Sequence, residues 1–181
     1  MGKLTIDYGD IVSDRFLSWC DAVVNSTNPL MMPGSGVCGA IYHKAGREQL
    51  EQYVKETYGL SFATPENAMR PPEVRITPGF RLPCDILFAQ GPKAWDYPTF
   101  GEAFSLLKDT YKNILKTAAE RGYKRILMPA MGTGHYGFTH EETAAEVVVL
   151  LKEMLSDSAS AVDVLFVLGD EQTANFYRQF L

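Results

Sequence analysis

Short apolar runs alternate with segments of helical period along most of the chain, and this alternation restricts the fold more than any other feature. Residues 4–8 alternate apolar and polar side chains and close on Gly9-Asp10, which reads as a strand. Residues 22–24, 74–77, 85–89, 125–128 and 162–168 are further short apolar runs. Between them lie helical patterns. One opens directly after Gly39 and breaks at Gly46, and the next covers 48–58. The clearest covers 99–121, where Phe100, Phe104, Leu107, Tyr111, Ile114, Leu115 and Ala118 share a face and Gly122 takes the C′ position. Another covers 140–155 with Ala144, Val147, Val148, Leu151 and Leu155 on one side, and Asp170 caps a last helix ending near Phe180. Prolines, Asn67 and polar residues make 59–72 a long surface loop. Parallel strands need crossovers that cover both sheet faces, so the pattern predicts an α/β fold with a largely parallel sheet between helical layers. No internal repeat, low-complexity segment or second-domain boundary appears, so one domain over 1–181 is expected.

In open α/β sheets ligands sit outside the carboxyl ends of the strands. Two glycine-rich loops fall there. Asn25-Ser26-Thr27-Asn28 leads to Pro33-Gly34-Ser35-Gly36-Val37-Cys38-Gly39 after the strand at 22–24. Gly132-Thr133-Gly134-His135-Tyr136-Gly137-Phe138 follows the strand at 125–128. Without a Cβ, glycine lets backbone N–H groups converge on a phosphate. Two such loops can hold a diphosphate from both sides, so a nucleotide diphosphate is the expected ligand. Gly34-Ser35-Gly36-Val37-Cys38-Gly39 also fits G-x-G-x-x-G, but the context excludes a dinucleotide-binding turn. Nine residues separate Val24 from Gly34, and the region where a ribose-binding acid should end a second strand is helical.

The net charge of −5 argues against an extended nucleic-acid or acidic-membrane surface, yet backbone amides can still bind one anion. The three cysteines, Cys20, Cys38 and Cys84, show neither a disulfide framework nor zinc spacing. No apolar run is long enough to span a membrane, and the first residues lack a signal-peptide core. Gly2 would suit myristoylation, but Ile6 stands where Ser or Thr is required. A reducing, cytoplasmic setting, no metal and no cofactor are the expectations.

The loops also belong to a longer pattern. Gly9-Asp10-Ile11, then Asp21-Ala22-Val23-Val24-Asn25-Ser26-Thr27-Asn28, then Pro33-Gly34-Ser35-Gly36-Val37-Cys38-Gly39-Ala40-Ile41, resembles the macrodomain family. Its usual text is a Gly-Asp-Ile turn, V-N-A-A-N and G-G-G-V-x-G-A-I. The resemblance continues through Ile76-Thr77-Pro78-Gly79-Phe80-Arg81-Leu82-Pro83, like T-x-G-Y-x-L-P. It closes on Pro129-Ala130-Met131-Gly132-Thr133-Gly134-His135-Tyr136-Gly137-Phe138, like P-A-I-S-T-G-I-Y-G-Y. The blocks keep the family's order over nearly the whole chain.

The resemblance implies a three-layer α/β/α macrodomain-like fold with a mixed, largely parallel sheet and an ADP-ribose pocket. Asp10 would accept from the adenine amino group and Ile11 would lend a backbone amide. Asn28 would contact the distal ribose, and Asn25 would tie the loop backbone together. Gly34, Ser35, Gly36 and Val37 would lie against ribose and diphosphate, with the helix starting near Cys38 turning its positive end toward the phosphates. Gly132, Thr133, Gly134, His135 and Tyr136 would close the other side. Each residue has a plainer reading: Asp10 as a turn or cap residue, His135 as an exposed loop histidine, Tyr136 as a core or lid residue.

Several positions depart from the family text. Cys38 stands where hydrolases of the MacroD type carry an aspartate. The helix start would lower its pKa, or it is a small residue tolerated under the ligand. Ser35 interrupts the glycine run, and Tyr42 replaces a common histidine. Gly169 falls where many members stack an aromatic on adenine, which leaves Phe176 or Tyr177 for that task. The resemblance implies a monomer that binds ADP-ribose or ADP-ribosylated protein. As an enzyme it would hydrolyse an ADP-ribosyl ester or O-acetyl-ADP-ribose, with Asn28 and His135 as the catalytic residues. The alternatives are a reader without turnover, or a binder of another nucleotide ligand.

Overall fold

The computed structural model describes residues 1–157 and 161–181. Six strands form one sheet: β1 (Leu4–Tyr8), β2 (Ala22–Ser26), β3 (Val74–Thr77), β4 (Asp85–Ala89), β5 (Arg125–Pro129) and β6 (Asp163–Leu168). Their order across the sheet is β1-β6-β5-β2-β4-β3. Every pairing is parallel except β3 with β4, so the sheet is mixed and largely parallel as expected.

The helices are α1 (Asp14–Leu17), α2 (Gly36–Ala45), α3 (Arg47–Tyr58), α4 (Phe100–Arg121), α5 (His140–Ser156) and α6 (Glu171–Arg178). Alternation along the central strands divides the core into two layers. Val24, Leu87, Met128 and Phe166 face α4, α5 and α6, where Leu107, Tyr111, Leu151 and Tyr177 pack on them. Val23, Ile86, Phe88 and Leu127 face the other way, toward Phe16, Ile41, Tyr42, Leu50 and Val54 of α1, α2 and α3. Burial on both faces is why these strands read as continuous apolar runs.

The long helices start where their sequences cap them. Thr99 accepts from the Glu102 N–H at 3.2 Å while the Glu102 carboxylate takes the Thr99 N–H, and Thr139 and Glu142 form the same box for α5. Asp170 accepts from Thr173 N–H at 2.8 Å and starts α6. Gly122 ends α4 in the left-handed region, φ 81°. Two elements differ from the sequence reading. The single turn α1 is too short to show a period, and α2 starts at Gly36 rather than after Gly39. Among the described residues no helix is long and apolar enough to cross a membrane.

Candidate functional site

β2 and β5 are neighbours, so the loops leaving their carboxyl ends face each other. Between them lies a cleft of about 400 Å³. Its walls are Asn28 and residues 34–38 from the first loop, and residues 132–136 from the second. These expected residues therefore come together. Ser26, Thr27, Pro129 and Ala130 also line the cleft and were missed. They continue their strands into the loops, so following each strand to its end would have found them.

The first wall is fixed from within. Asn28 Nδ2 donates to the Met32 carbonyl at 2.7 Å, and its Oδ1 accepts from Met32 N–H at 2.9 Å. Met31 adopts φ 51° and is fully buried, and the Tyr42 hydroxyl donates to its carbonyl. Tyr42 thus has a definite task at its position. The tethering role expected of Asn25 falls instead to Asn28. Asn25 is buried, and neither polar atom of its side chain has a hydrogen-bond partner among the described residues. It lies behind the cleft, beside the Cys38 sulfur, rather than in the lining.

Ser35 sits at the N-cap of α2, but its side chain makes no cap bond. Its hydroxyl instead lies 3.0 Å from His135 Nε2, across the mouth of the cleft. The first N–H groups of α2 have no carbonyl partner within the helix, and they carry its positive end. N–H groups so placed, on the wall opposite 132–136, are able to hold an anion.

Cys38 is buried, and its Sγ donates to the Met32 carbonyl at 3.5 Å. Burial pushes the thiol above its ordinary value, although polar groups of Asn25, Thr27 and Gly34 favour the thiolate. The expected lowering of its pKa is therefore overturned: desolvation outweighs the polar groups that favour the thiolate. Cys38 stays a neutral thiol at neutral pH.

The second wall rests on a segment that carried no sequence signal. Ala94 N–H donates to the Tyr136 carbonyl at 2.8 Å, and Lys93 Nζ lies 5.7 Å from the Tyr136 ring centre. The Tyr136 hydroxyl reaches across to the Thr27 carbonyl at 3.4 Å. Burial raises its phenol. Tyr136 thus braces both walls.

Asp10, Ile11 and Gly169 lie outside this lining but at the same end of the sheet. Gly9 N–H donates to the Leu168 carbonyl at 2.9 Å, which puts the ends of β1 and β6 side by side. Asp10 is exposed, with Oδ1 accepting from Val12 N–H at 3.1 Å, and the Ile11 side chain is buried. Tyr177 cannot meet adenine. It is 1% exposed, packs on Phe166 with ring centres 5.4 Å apart, and its hydroxyl lies 2.9 Å from His140 Nδ1. Phe176 is half-buried and packs edge-on against Phe180. Among the described residues no group of three or more His, Cys, Asp or Glu side chains could hold a metal.

The macro domain family model matches residues 24–147, a span that contains both loops and the cleft between them. The chain belongs to the macrodomain family. A protein named O-acetyl-ADP-ribose deacetylase from Citrobacter rodentium is 34% identical over 180 residues, 99% of this chain and 95% of that protein. A macro domain-containing protein of Chlorobaculum tepidum is 33% identical over 161 residues, 89% and 87% of the two chains. Among solved structures, the Oceanobacillus iheyensis macrodomain with ADP superposes with a TM-score of 0.84 at 30% identity, covering 98% of this chain and 88% of that one. A glycine-to-valine variant of that macrodomain with ADPR gives 0.81 at 28% identity, covering 98% and 90%.

Proposed function

We propose that this macrodomain binds ADP-ribose in the cleft and hydrolyses an ester carried on the distal ribose, with O-acetyl-ADP-ribose as the type substrate. The observation that carries this reading is the opposition of two glycine loops across a cleft of about 400 Å³, with the start of α2 on one side. The diphosphate lies between the first turn of α2 and residues 132–136, held by backbone N–H groups. The distal ribose lies against Asn28, which leaves the adenine end toward Asp10 and Gly169. Asn28 keeps one N–H and one lone pair after its bonds to Met32, enough to orient a ribose hydroxyl.

His135 Nε2 sits at the cleft mouth and takes the proton of an attacking water once the water displaces the Ser35 hydroxyl from it. The water oxygen adds to the acyl carbon, the bond from that carbon to the ribose oxygen breaks, and the ribose oxygen leaves with a proton. The loop N–H groups hold substrate and water in near-attack geometry.

Cys38 favours a second reading, a reader without turnover, because a neutral thiol stands where a carboxylate would activate water. One experiment decides between them. Calorimetric titration with ADP-ribose, with AMP and NAD as controls, is followed by acetate release from O-acetyl-ADP-ribose. One-to-one binding with acetate release supports the hydrolase, and binding without release supports the reader. No heat with ADP-ribose removes both.

A further inference from the structure

A second cavity, of about 500 Å³, opens on the far side of Asn28, the residue that lines both. Pro29, Leu30, Met32 and Pro33 form one wall, and Phe62 and Pro65 form the other. No charged residue lines it, and Phe62 projects into solvent with 83% of its surface exposed. The sequence reading treats 59–72 as surface loop and gives it no role in the site.

The groove is built rather than incidental. Asn28 holds the Met32 backbone through two hydrogen bonds, which sets the first wall. Met69 N–H donates to the Pro29 carbonyl at 2.7 Å and joins the two walls. Leu60 and Met69, both buried, anchor the second segment in the core. Between them, the Thr64 hydroxyl donates to the Gly59 carbonyl at 2.7 Å, and Asn67 Nδ2 donates to the same carbonyl at 3.0 Å. Phe62 is therefore displayed on a segment with its own internal bonds.

We propose that this groove receives the acyl chain of the ester, and that the substrate is an O-acyl-ADP-ribose with a chain longer than acetyl, from butyryl to octanoyl. The assignment rests on the reading of the cleft given above. Asn28 lines both cavities, which puts the groove next to the distal ribose, where the acyl group is attached. Its lining of proline, leucine, methionine and phenylalanine favours a hydrocarbon. An acetyl methyl stops at Asn28 and leaves Leu30, Met32 and Phe62 wet. Hydrolysis needs only water: its oxygen joins the acyl carbon, the ester bond to ribose breaks, and the products are the fatty acid and ADP-ribose.

The test compares O-acetyl-, O-butyryl- and O-octanoyl-ADP-ribose on the full chain and on Phe62→Ser, with ADP-ribose affinity measured on both. Where turnover is absent, dissociation constants of the same esters replace rates. Because Phe62 is exposed, its replacement does not threaten folding. The expected result is a gain in kcat/KM or affinity of about fourfold per added methylene on the first steps, as burial of a CH₂ predicts. Phe62→Ser lowers the octanoyl-to-acetyl ratio by fivefold or more. Equal values for all three esters with normal ADP-ribose binding overturn the groove assignment and leave the cleft reading standing. A Phe62-dependent preference for an apolar ADP-ribosylated peptide, with no effect of acyl length, also overturns it. Absence of ADP-ribose binding overturns both.

Discussion

The Ser35 hydroxyl lies 3.0 Å from His135 Nε2, so the N-cap of α2 and the loop after β5 are clasped across the cleft. Both residues depart from the usual family text, which has glycine and isoleucine at these positions. Two unrelated departures that meet in space point to a pair that acts together, and the pair can be separated by mutation. Both side chains are exposed, so the bond adds at most about 1 kcal/mol to stability, and single replacements should leave Tm nearly unchanged. His135→Ala should lower kcat for ester hydrolysis by ~100-fold or more, the usual effect of losing a general base. Ser35→Ala should act mainly on KM. Equal losses in both variants, confined to KM, would show that His135 only clasps.

Cys38→Asp tests the missing carboxylate. The thiol occupies a buried site whose neighbours are already suited to an acid, since Asn25 Nδ2 has no hydrogen-bond partner among the described residues and Thr27 lies beside Cys38. An aspartate there could accept from Asn25, which offsets part of its desolvation. Acetate release should rise by about tenfold, with a modest loss of Tm from burying charge. A rate that does not move would show that His135 and the bound substrate already supply the base.

What the sequence made legible follows from locality. Gly122 at the end of α4 and the strand-end position of both loops are written within a few residues, and each appears where expected; the capping boxes at Thr99 and Thr139 are just as local. Other features depend on distant partners. Asn25 and Asn28 look alike in sequence. Their tasks separate only because Met32 folds back onto Asn28 while Asn25 points into the core beside Cys38. Lys93 and Ala94 support the second loop through a turn that carries no motif. The block from Ile76 to Pro83, which resembles the family as closely as the loops do, lies at the other end of the sheet. There Arg81 N–H donates to the Ala45 carbonyl at the end of α2. That block serves the fold, and family resemblance alone could not tell it from the site.

Alkaline pH should destabilise the fold. Burial pushes the Tyr177 phenol up to about 12, and burial together with the Asp85 carboxylate does the same for Tyr123. In the unfolded chain both ionise near ~10. Between those values the folded protein keeps protons that the unfolded chain releases, so unfolding free energy falls as pH rises. The contribution is complete below the unfolded value and is lost through the folded one. Cys20, raised by the adjacent Cys84 thiol and by burial, and Cys38, raised by burial, start the decline somewhat earlier. A Tm profile should be flat to about pH 8 and fall steadily to pH 12. Tyr177→Phe should make that fall shallower. A profile still flat at pH 11 would contradict the burial argument.

Two glycines of the cleft loops should respond in opposite ways. A Cβ on Gly39 would stand 2.2 Å from the Gly34 carbonyl oxygen, a backbone atom of the first loop. The loop must shift to admit it, so Gly39→Ala should cost stability, about 1–3 kcal/mol, and weaken ligand binding with it. A Cβ on Gly134 meets nothing within 4 Å, and its backbone is not in the left-handed region. Gly134→Val therefore leaves the protein's own contacts intact and adds methyl groups only to the cleft wall. Its Tm should match that of the parent while ADP-ribose affinity falls by tenfold or more, as expected where backbone must approach a phosphate closely. Thermal melts with calorimetry on both variants read this out. If Gly134→Val bound ADP-ribose normally, the second loop would not close over the diphosphate, and only the wall formed by α2 would hold it.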